Sequence, residues 1–335
     1  MPTPLEKAYG CLAALALGDA LGMPTEFLTP ERIAAEYGPS VGLLAPLSWH
    51  PHFSLPTGSV TDDTEQAMAL AGVYLRHGTM TAERAADALL AWADSKGDLI
   101  DLYSGPATRR ALQALRGGAD PRDSGKAGTT NGAAMRVAAI GIVHAGDEQA
   151  ALHDTVEASL PTHGTTLAIS AAAAVSFAVA EAMTKGATVD SILLAAQRGA
   201  VEGRGFGSWV WTPLLEHRVA LAVQLVRDAP DETSALQGLY RTIGVDMAVT
   251  ESIPTAFALV ALYGGQPMPA VLSASRLGGD CDTIGAIAGA VCGALTGIQA
   301  LDRELLDRVT RVNGLDLEDT ARGLLAASRA MEHRQ

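Results

Sequence analysis

The sequence predicts an all-α protein that folds as one compact domain over residues 1–335. Hydrophobic residues make up 48% of the chain but aromatic residues only 4%, and Ala and Leu dominate where a strand-rich protein would show β-branched and aromatic residues. Apolar residues recur three and four positions apart, and no convincing alternating run separates them. A chain of this length is near the upper limit that one hydrophobic core serves.

Helix-period patterns define the predicted elements along the chain. Residues that start or stop helices mark their ends: Gly follows Leu115-Arg116, Gly stands at 186, and Pro stands at 121, 161, 213, 230, 254 and 267. The predicted helices are residues 5–20, 64–76, 82–95, 107–116, 133–145, 165–185, 189–200, 213–228, 232–242, 250–263, 268–276, 283–299 and 316–332.

The segment 29–59 is the long stretch without a helix pattern. It contains five prolines and three glycines: Pro30, Pro39, Pro46, Pro51, Pro56, Gly38, Gly42 and Gly58. Structureless loops of this length in compact domains are usually functional or disordered. Because this segment ends in the acidic cluster GSVTDDTE, we expect a functional loop.

Charge and cysteine usage exclude several classes of protein. The formal net charge is -13, which argues against a nucleic-acid backbone as partner because such binding usually needs a basic face. Cys11, Cys281 and Cys292 have no CxxC spacing and are expected to be reduced and buried. No signal-peptide pattern opens the chain. These features predict a cytoplasmic protein.

The segment 284–301, IGAIAGAVCGALTGIQAL, is long and uncharged enough to raise the question of a membrane span. Most of it is Gly and Ala, which favours a buried helix, so no membrane partner is expected. Glycines recur at every fourth position, 285, 289, 293 and 297, and each costs about 1 kcal/mol relative to Ala in a helix. Their shared face is therefore expected to lie against another backbone.

Two acidic clusters precede helix patterns: TDDT at 61–64 and GGDCDT at 278–283. One Asp before a helix ordinarily caps it, and Asp62 with Glu65 has capping-box spacing. A cap needs one side-chain oxygen, so it leaves the second carboxylate and the threonine of each cluster unexplained. Two such helix ends facing each other would gather up to four carboxylates and two hydroxyls, which suit Mg²⁺ or Mn²⁺ and, by their charge, two ions.

Five segments in a fixed order carry a more specific pattern. They are GCLAALALGDALGMPTEF (10–27), GSVTDDTEQAM (58–68), TTNGAAMRVAAIGI (129–142), THG (162–164) and GGDCDTIGAIAGAVCGALTG (278–297). Together they resemble the ADP-ribosylglycohydrolases. The resemblance implies a compact all-α domain and hydrolysis of the glycosidic bond between ADP-ribose and a modified side chain or related acceptor, with release of ADP-ribose.

The resemblance also implies the residues of a binuclear Mg²⁺ or Mn²⁺ centre. Glu26 matches a mobile glutamate at the metal site that relatives use as a gate or acid–base group, and catalysis is expected of Glu26 together with Asp62 and Asp282. The implied metal ligands are Thr61, Asp62, Asp63, Asp280, Asp282 and Thr283.

A second set of residues is implied in substrate binding. The loop that holds ADP-ribose in relatives matches Gly128, Thr129, Asn131 and Gly132. Backbone amides of a Gly-rich turn that opens a helix, here from Ala133 onward, bind phosphate without a basic side chain. His163 of the THG segment matches a histidine near the ligand.

Some assignments stay open. An acidic residue before the GPAT segment at 105–108 matches Asp98 or Asp101. The candidate aromatic residues for adenine stacking are Tyr103, Phe206, Trp209 and Trp211.

Two other functions compete with protein deADP-ribosylation. One is a metal-dependent nucleosidase or a hydrolase of a free ADP-ribosyl metabolite; the other is a non-catalytic ADP-ribose-binding or crystallin-like protein. Because every matched metal position is filled, catalysis is favoured. The expected partner is an ADP-ribosylated protein or a small ADP-ribosyl substrate, and nucleic acid only if it is itself ADP-ribosylated. The acceptor (Arg, Ser or nucleobase), the choice of Mg²⁺ or Mn²⁺ and the oligomeric state stay open.

Overall fold

Helices account for most of residues 1–38 and 42–332, the part of the chain that a computed structural model describes, and no β-strand occurs within these ranges. The prediction of an all-α fold is confirmed. The α-helices are α1 (Pro4–Gly22), α2 (Pro30–Tyr37), α3 (Asp62–His77), α4 (Ala82–Lys96), α5 (Ile100–Tyr103), α6 (Pro106–Arg116), α7 (Ala138–Val143), α8 (Glu148–His163), α9 (Thr166–Met183), α10 (Val189–Gly203), α11 (Leu215–Asp228), α12 (Glu232–Gly238), α13 (Val249–Leu262), α14 (Pro267–Leu277), α15 (Cys281–Thr296), α16 (Arg303–Asn313) and α17 (Leu317–Glu332).

The segment 29–59 is less irregular than its composition predicts. Helix α2 lies inside it, with the Thr29 side chain capping the helix and Pro30 in its first turn. The rest of the segment, apart from residues 39–41 outside the described ranges, has no helix. Its prolines therefore start a helix as well as break one.

Helices α8 and α16 were also missed by the apolar pattern, as was the short α5. α8 buries Asp154 and Glu157 among its apolar residues, which interrupts its apolar stripe. α16 is amphipathic, but its apolar stripe is narrow and buries Leu306 and Val309. Conversely, the predicted helix 133–145 is divided into a 3₁₀ turn, Asn131–Arg136, and the short α7.

Helices α1 and α15 are in direct backbone contact. A Cβ at Gly18 would lie 2.1 Å from the carbonyl oxygen of Gly285, and a Cβ at Gly22 would lie 2.4 Å from Cα of Asp282. No side chain fits at these distances, so the expectation that a second backbone crowds the glycine face of α15 is confirmed. The contact fixes the first turn of α15, including Asp282, against α1.

The three cysteines lie in the same two helices. All three are free and buried, as predicted. Burial raises the pKa of each thiol above its ordinary value. The Cys281 thiol donates a hydrogen bond to the Gly22 carbonyl over 3.3 Å, which adds a link between α15 and α1.

Within the described ranges, α9 is long and apolar enough to cross a membrane, with a mean hydropathy of 1.7, and 83% of it is buried inside the domain. The bent pair of α1 and α2 passes the same test if the pair is taken as one span. The segment 284–301 instead belongs mostly to α15, which is buried from Cys281 to Ala294. The prediction of a buried helix there is confirmed.

Candidate active site

The first turns of α3 and α15 face each other across a cleft. The Thr283 hydroxyl of α15 donates a hydrogen bond to Asp63 Oδ2 of α3 over 3.2 Å. The cleft has a volume of about 300 Å³. Its lining includes Glu26 and all the residues implied as metal ligands: Thr61, Asp62, Asp63, Asp280, Asp282 and Thr283.

Neither acidic cluster caps its own helix. Among the described residues, the side chains of the N-cap residues Thr61 and Asp280 accept no hydrogen bond from the helices that they begin. The alternative in which Asp62 and Glu65 form a capping box is wrong, because the Glu65 carboxylate accepts a hydrogen bond from the indole N–H of Trp92 over 2.8 Å. The aspartates are therefore free to face the cleft.

Asp19, on α1, replaces the missing cap of α3. Its carboxylate accepts hydrogen bonds from the backbone N–H groups of Thr61 and Thr64, both at 3.0 Å, and from their hydroxyls at 2.9 and 2.5 Å. Burial raises the pKa of Asp19 to about 6, although these hydrogen bonds act to lower it. Sequence analysis did not assign Asp19. The available signal was a lone carboxylate in an apolar helix, since such a group must find donors when buried.

Glu26 is held near the carboxylates by pairing between the loop after α1 and the turn before α15. The Phe27 N–H donates to the Gly279 carbonyl at 2.8 Å, and the Gly279 N–H donates to the Leu28 carbonyl at 3.0 Å. Gly278 and Gly279 have φ of 68° and 64°, and a Cβ at Gly278 would lie 2.0 Å from the Leu28 carbonyl oxygen. The turn therefore requires its two glycines.

Two histidines contact Glu26. His50 Nδ1 accepts the His52 backbone N–H at 3.1 Å, so the ring proton lies on Nε2 and is donated to the Glu26 carbonyl oxygen at 3.0 Å. His52 Nε2 lies 3.2 Å from Glu26 Oε2. Burial, and then the neighbouring His50, lower the pKa of His52 to about 4. Neither histidine was predicted, but both belong to the segment 29–59 that was expected to be functional.

Carboxylates crowd the buried side of the cleft. One oxygen from each of Glu26, Asp280 and Asp282 lies within 4.8 Å of the other two. Burial raises the pKa of Glu26, Asp62, Asp63 and Asp282 well above their ordinary values, and neighbouring carboxylates raise them further. In the part of the chain described, Oδ1 of Asp63 and Oδ1 of Asp282 are buried without a hydrogen-bond partner. This set of hard, partly unpartnered oxygens fits a divalent cation such as Mg²⁺ or Mn²⁺.

The metal-free protein is expected to lose stability as the pH rises. A carboxyl group whose pKa is raised by folding stabilises the fold while it is protonated. For Asp280 that contribution is complete below the ordinary value of 3.8 and is lost as the pH passes the raised pKa of about 6. A divalent cation binds the deprotonated carboxylates, so its stabilisation should grow over the same range.

Thermal unfolding in EDTA and in excess Mg²⁺ or Mn²⁺, from about pH 5 to about pH 8, checks this prediction. We expect the difference in midpoint to widen with pH to several degrees, since a ligand at 100 times its Kd adds about 2.7 kcal/mol. A difference that is absent or constant with pH would contradict it.

Asn131 connects the predicted ligand loop to the carboxylates. Its side-chain amide donates hydrogen bonds to Asp280 Oδ2 and, at 3.0 Å, to Ser252 Oγ. Its backbone N–H donates to the Met247 carbonyl at 3.3 Å. The amide of Asn131 thus orients a predicted metal ligand.

The other predicted ligand-binding residues fall into two groups. Gly132 and His163 line the cleft, whereas Gly128 and Thr129 are not among the described residues that line it, and Thr129 is exposed. Gly128 instead lies against His163, where a Cβ would be 2.8 Å from the histidine Cα. Thr130, which was not predicted, lines the cleft and contacts His163.

The aromatic candidates also separate. Tyr103 lines the cleft together with Phe27, which sequence analysis did not name and which is 54% exposed. Trp209 and Trp211 line a different groove, and Phe206 lines neither within the described residues. Of the candidates, Tyr103 has the position needed to contact a ligand.

Asp101 is the acidic residue that reaches the rim of the cleft. It lines the cleft and lies 3.1 Å from Arg109, another lining residue. The alternative, Asp98, has a side chain outside what the structure describes.

Comparisons with known proteins agree with this arrangement. The family model described as ADP-ribosylglycohydrolase matches residues 1–334. An uncharacterized protein of Escherichia coli (strain K12), YegU, is 35% identical over 325 residues, 95% of this chain and 96% of its own. The ADP-ribosylarginine hydrolase Tri1 of Pseudomonas putida (strain GB-1) is 28% identical over 348 residues, 93% of this chain and 81% of its own. A solved structure titled ADP-ribosylglycohydrolase-related protein complex superposes with a TM-score of 0.71 at 26% identity, covering 97% of this chain and 99% of that one.

Proposed function

The chain belongs to the ADP-ribosylglycohydrolase family, and on that premise we propose that it is a metal-dependent hydrolase that releases ADP-ribose from a modified arginine side chain. The observation that carries the proposal is the convergence of Glu26 and two separate acidic clusters on one cleft. A protein that only bound ADP-ribose would have no need to bury so many like charges together. Arginine is proposed as the acceptor because a relative over most of the chain is named an ADP-ribosylarginine hydrolase.

The chain's own oxygens would hold the cations, two of them by the family resemblance. The residues proposed to do so are Thr61, Asp62, Asp63, Asp280, Asp282 and Thr283. When bound, divalent cations supply positive charge that orients ribose hydroxyls and acidifies a water molecule. Asn131 keeps Asp280 in place, and Asp19 does the same for Thr61.

Glu26 is the proposed proton carrier. In glycoside hydrolysis a water oxygen bonds to the anomeric carbon while the bond from that carbon to the leaving group breaks. Glu26 Oε2 accepts one proton from this water and returns it to the departing nitrogen. Burial and the nearby Asp280 raise the pKa of Glu26, which suits general acid–base catalysis better than the ordinary value does. His52 Nε2 lies beside this carboxyl group, 3.2 Å from Oε2.

A substrate panel tests the proposed function. Arginine-linked, serine-linked and nucleobase-linked ADP-ribose and free nucleosides would each be incubated with the protein in Mg²⁺, in Mn²⁺ and in EDTA. We expect release of ADP-ribose from the arginine-linked substrate with either metal and none in EDTA. Release from free nucleosides alone would favour a nucleosidase, and full activity in EDTA would refute metal dependence.

A further inference from the structure

Arg136 is a buried cation between the metal side and the ligand-loop side of the cleft. It is 0% exposed. Its Nη1 donates to Gln66 Oε1 at 2.7 Å, and its Nη2 donates to Thr162 Oγ1 at 2.6 Å and to the Ala158 carbonyl at 3.2 Å. Burial lowers the pKa of Arg136 to about 10, so the guanidinium is still protonated at neutral pH. A guanidinium only donates hydrogen bonds, so Gln66 Oε1, Thr162 Oγ1 and the Ala158 carbonyl all act as acceptors here.

The first branch ends on a predicted metal ligand. Because Gln66 Oε1 accepts from Arg136, the Gln66 amide nitrogen must point the other way. It donates to Asp62 Oδ2 at 2.8 Å. Arg136 therefore fixes the orientation of the Gln66 side-chain amide, so that the amide nitrogen donates to Asp62.

The second branch ends on the ligand loop. The Thr162 hydroxyl accepts from Arg136, so its single proton is available for His163 Nδ1, 2.9 Å away. If Thr162 donates that proton to Nδ1, a neutral His163 has its own proton on Nε2 and donates it to Thr130 Oγ1, 3.0 Å away. Burial and the charge of Arg136 lower the pKa of His163 to about 3, which keeps the ring neutral.

Thr130 is the end of this chain of donors. Since its oxygen accepts the proton of His163, its own hydroxyl proton is not used by the histidine. Thr130 lines the cleft, so the hydroxyl can donate to an oxygen of a bound ligand. The ligand oxygens that accept most strongly are those of a phosphate, because hydrogen bonds to charged groups are the stronger ones.

We propose that Arg136 orients the Thr162–His163–Thr130 chain so that the Thr130 hydroxyl donates a hydrogen bond to a diphosphate oxygen of ADP-ribose. This inference rests on the proposed function for the identity of the ligand. It makes Thr130 a ligand contact and makes Arg136, Thr162 and His163 positioning residues.

Thr130→Val tests the contact, with Thr233→Val as the control, because Thr233 is an exposed threonine outside the cleft lining. Calorimetric titration with ADP-ribose is expected to show about tenfold or greater loss of affinity in Thr130→Val. Thr233→Val should equal the wild type, and Thr130→Ser, which keeps the hydroxyl, should restore binding. Equal affinities of the two valine variants would refute the contact while leaving the proposed function intact. A wild type that does not bind ADP-ribose would refute both.

The direction of the hydrogen bonds from Thr162 through His163 to Thr130 can be measured without a ligand. Nitrogen NMR of the imidazole rings, with His163 identified through His163→Asn, distinguishes a proton on Nε2 from one on Nδ1. We expect the Nε2–H form in the wild type. In Thr162→Val, where Nδ1 loses its donor, the His163 signals should change. A wild-type His163 with its proton on Nδ1, or no change in Thr162→Val, would overturn the role of Arg136.

Discussion

Replacing Asp282 with Asn is expected to abolish turnover and to make the metal-free protein more stable. Asp282 is buried, and its Oδ1 has no hydrogen-bond partner among the described residues. Burial, and then the charges of Glu26, Asp280 and Asp19, raise its pKa, so an ionised Asp282 destabilises the fold. A neutral amide removes that repulsion, and one unit of pKa shift corresponds to about 1.4 kcal/mol. Without the charge the site should lose its cation, and turnover should fall by at least about a thousandfold.

The opposite signs of these two effects make the Asp282 experiment decisive. If Asp282 served only to stabilise the start of α15, its replacement would lower stability and spare activity. Unfolding should be followed in EDTA, Mn²⁺ binding by calorimetry, and turnover with the arginine-linked substrate. Asp190→Asn is a suitable control, because Asp190 is an exposed carboxylate in an ion pair with Arg227. A less stable Asp282→Asn variant that keeps its turnover would contradict a metal-ligand role.

The acidic side of the cleft could be predicted because its residues are close together in sequence. Asp62 and Asp63 are neighbours, and one residue separates Asp280 from Asp282. The sequence alone therefore shows that each cluster has more carboxylates than a helix cap needs. That the two clusters meet depends on the glycine-lined contact of α1 with α15. The spacing of those glycines predicted a crowded face, but not which helix lies against it.

The residues that sequence analysis missed act over long sequence distances. Asp19 is 42 residues from Thr61, and Arg136 is 70 residues from Gln66. A buried charge in an apolar helix signals that a partner exists, because burying it alone is too costly. Local sequence does not identify that partner. His50 and His52 were missed for a related reason, since their contacts with Glu26 depend on the path of the segment 29–59.

The fold was least predictable where helices bury polar groups. α8 includes Asp154, whose carboxylate accepts a hydrogen bond from the Tyr74 hydroxyl at 2.6 Å and lies 2.7 Å from His144 Nε2. These partners let a helix bury a charge, which breaks the apolar periodicity that sequence analysis depends on. The 3₁₀ turn Asn131–Arg136 departs from the predicted helix in a similar way, because Asn131 and Arg136 both bind groups outside it.

Replacing Glu26 with Gln is expected to remove turnover while leaving ADP-ribose binding nearly unchanged. The amide keeps the size of the side chain and its position 3.2 Å from His52 Nε2, but it does not accept a proton from water at neutral pH. General acid–base catalysis by one side chain contributes about a hundredfold to ten-thousandfold, so kcat should fall by that factor. The limb of the pH–rate profile that reports the ionisation of Glu26 should disappear in the variant.

Glu65→Gln is the control for Glu26→Gln. Glu65 directly follows the acidic cluster TDDT, but it contacts Trp92 and Lys96 and is not among the described residues that line the cleft. It should keep both turnover and binding. If Glu26→Gln lost turnover and ADP-ribose affinity together and also bound Mn²⁺ less tightly, Glu26 would be a metal ligand, as its distance from Asp280 and Asp282 allows. If it kept full turnover, the proton carrier would have to be another group. Loss of turnover alone, with the pH limb gone, is the result that only a proton carrier produces.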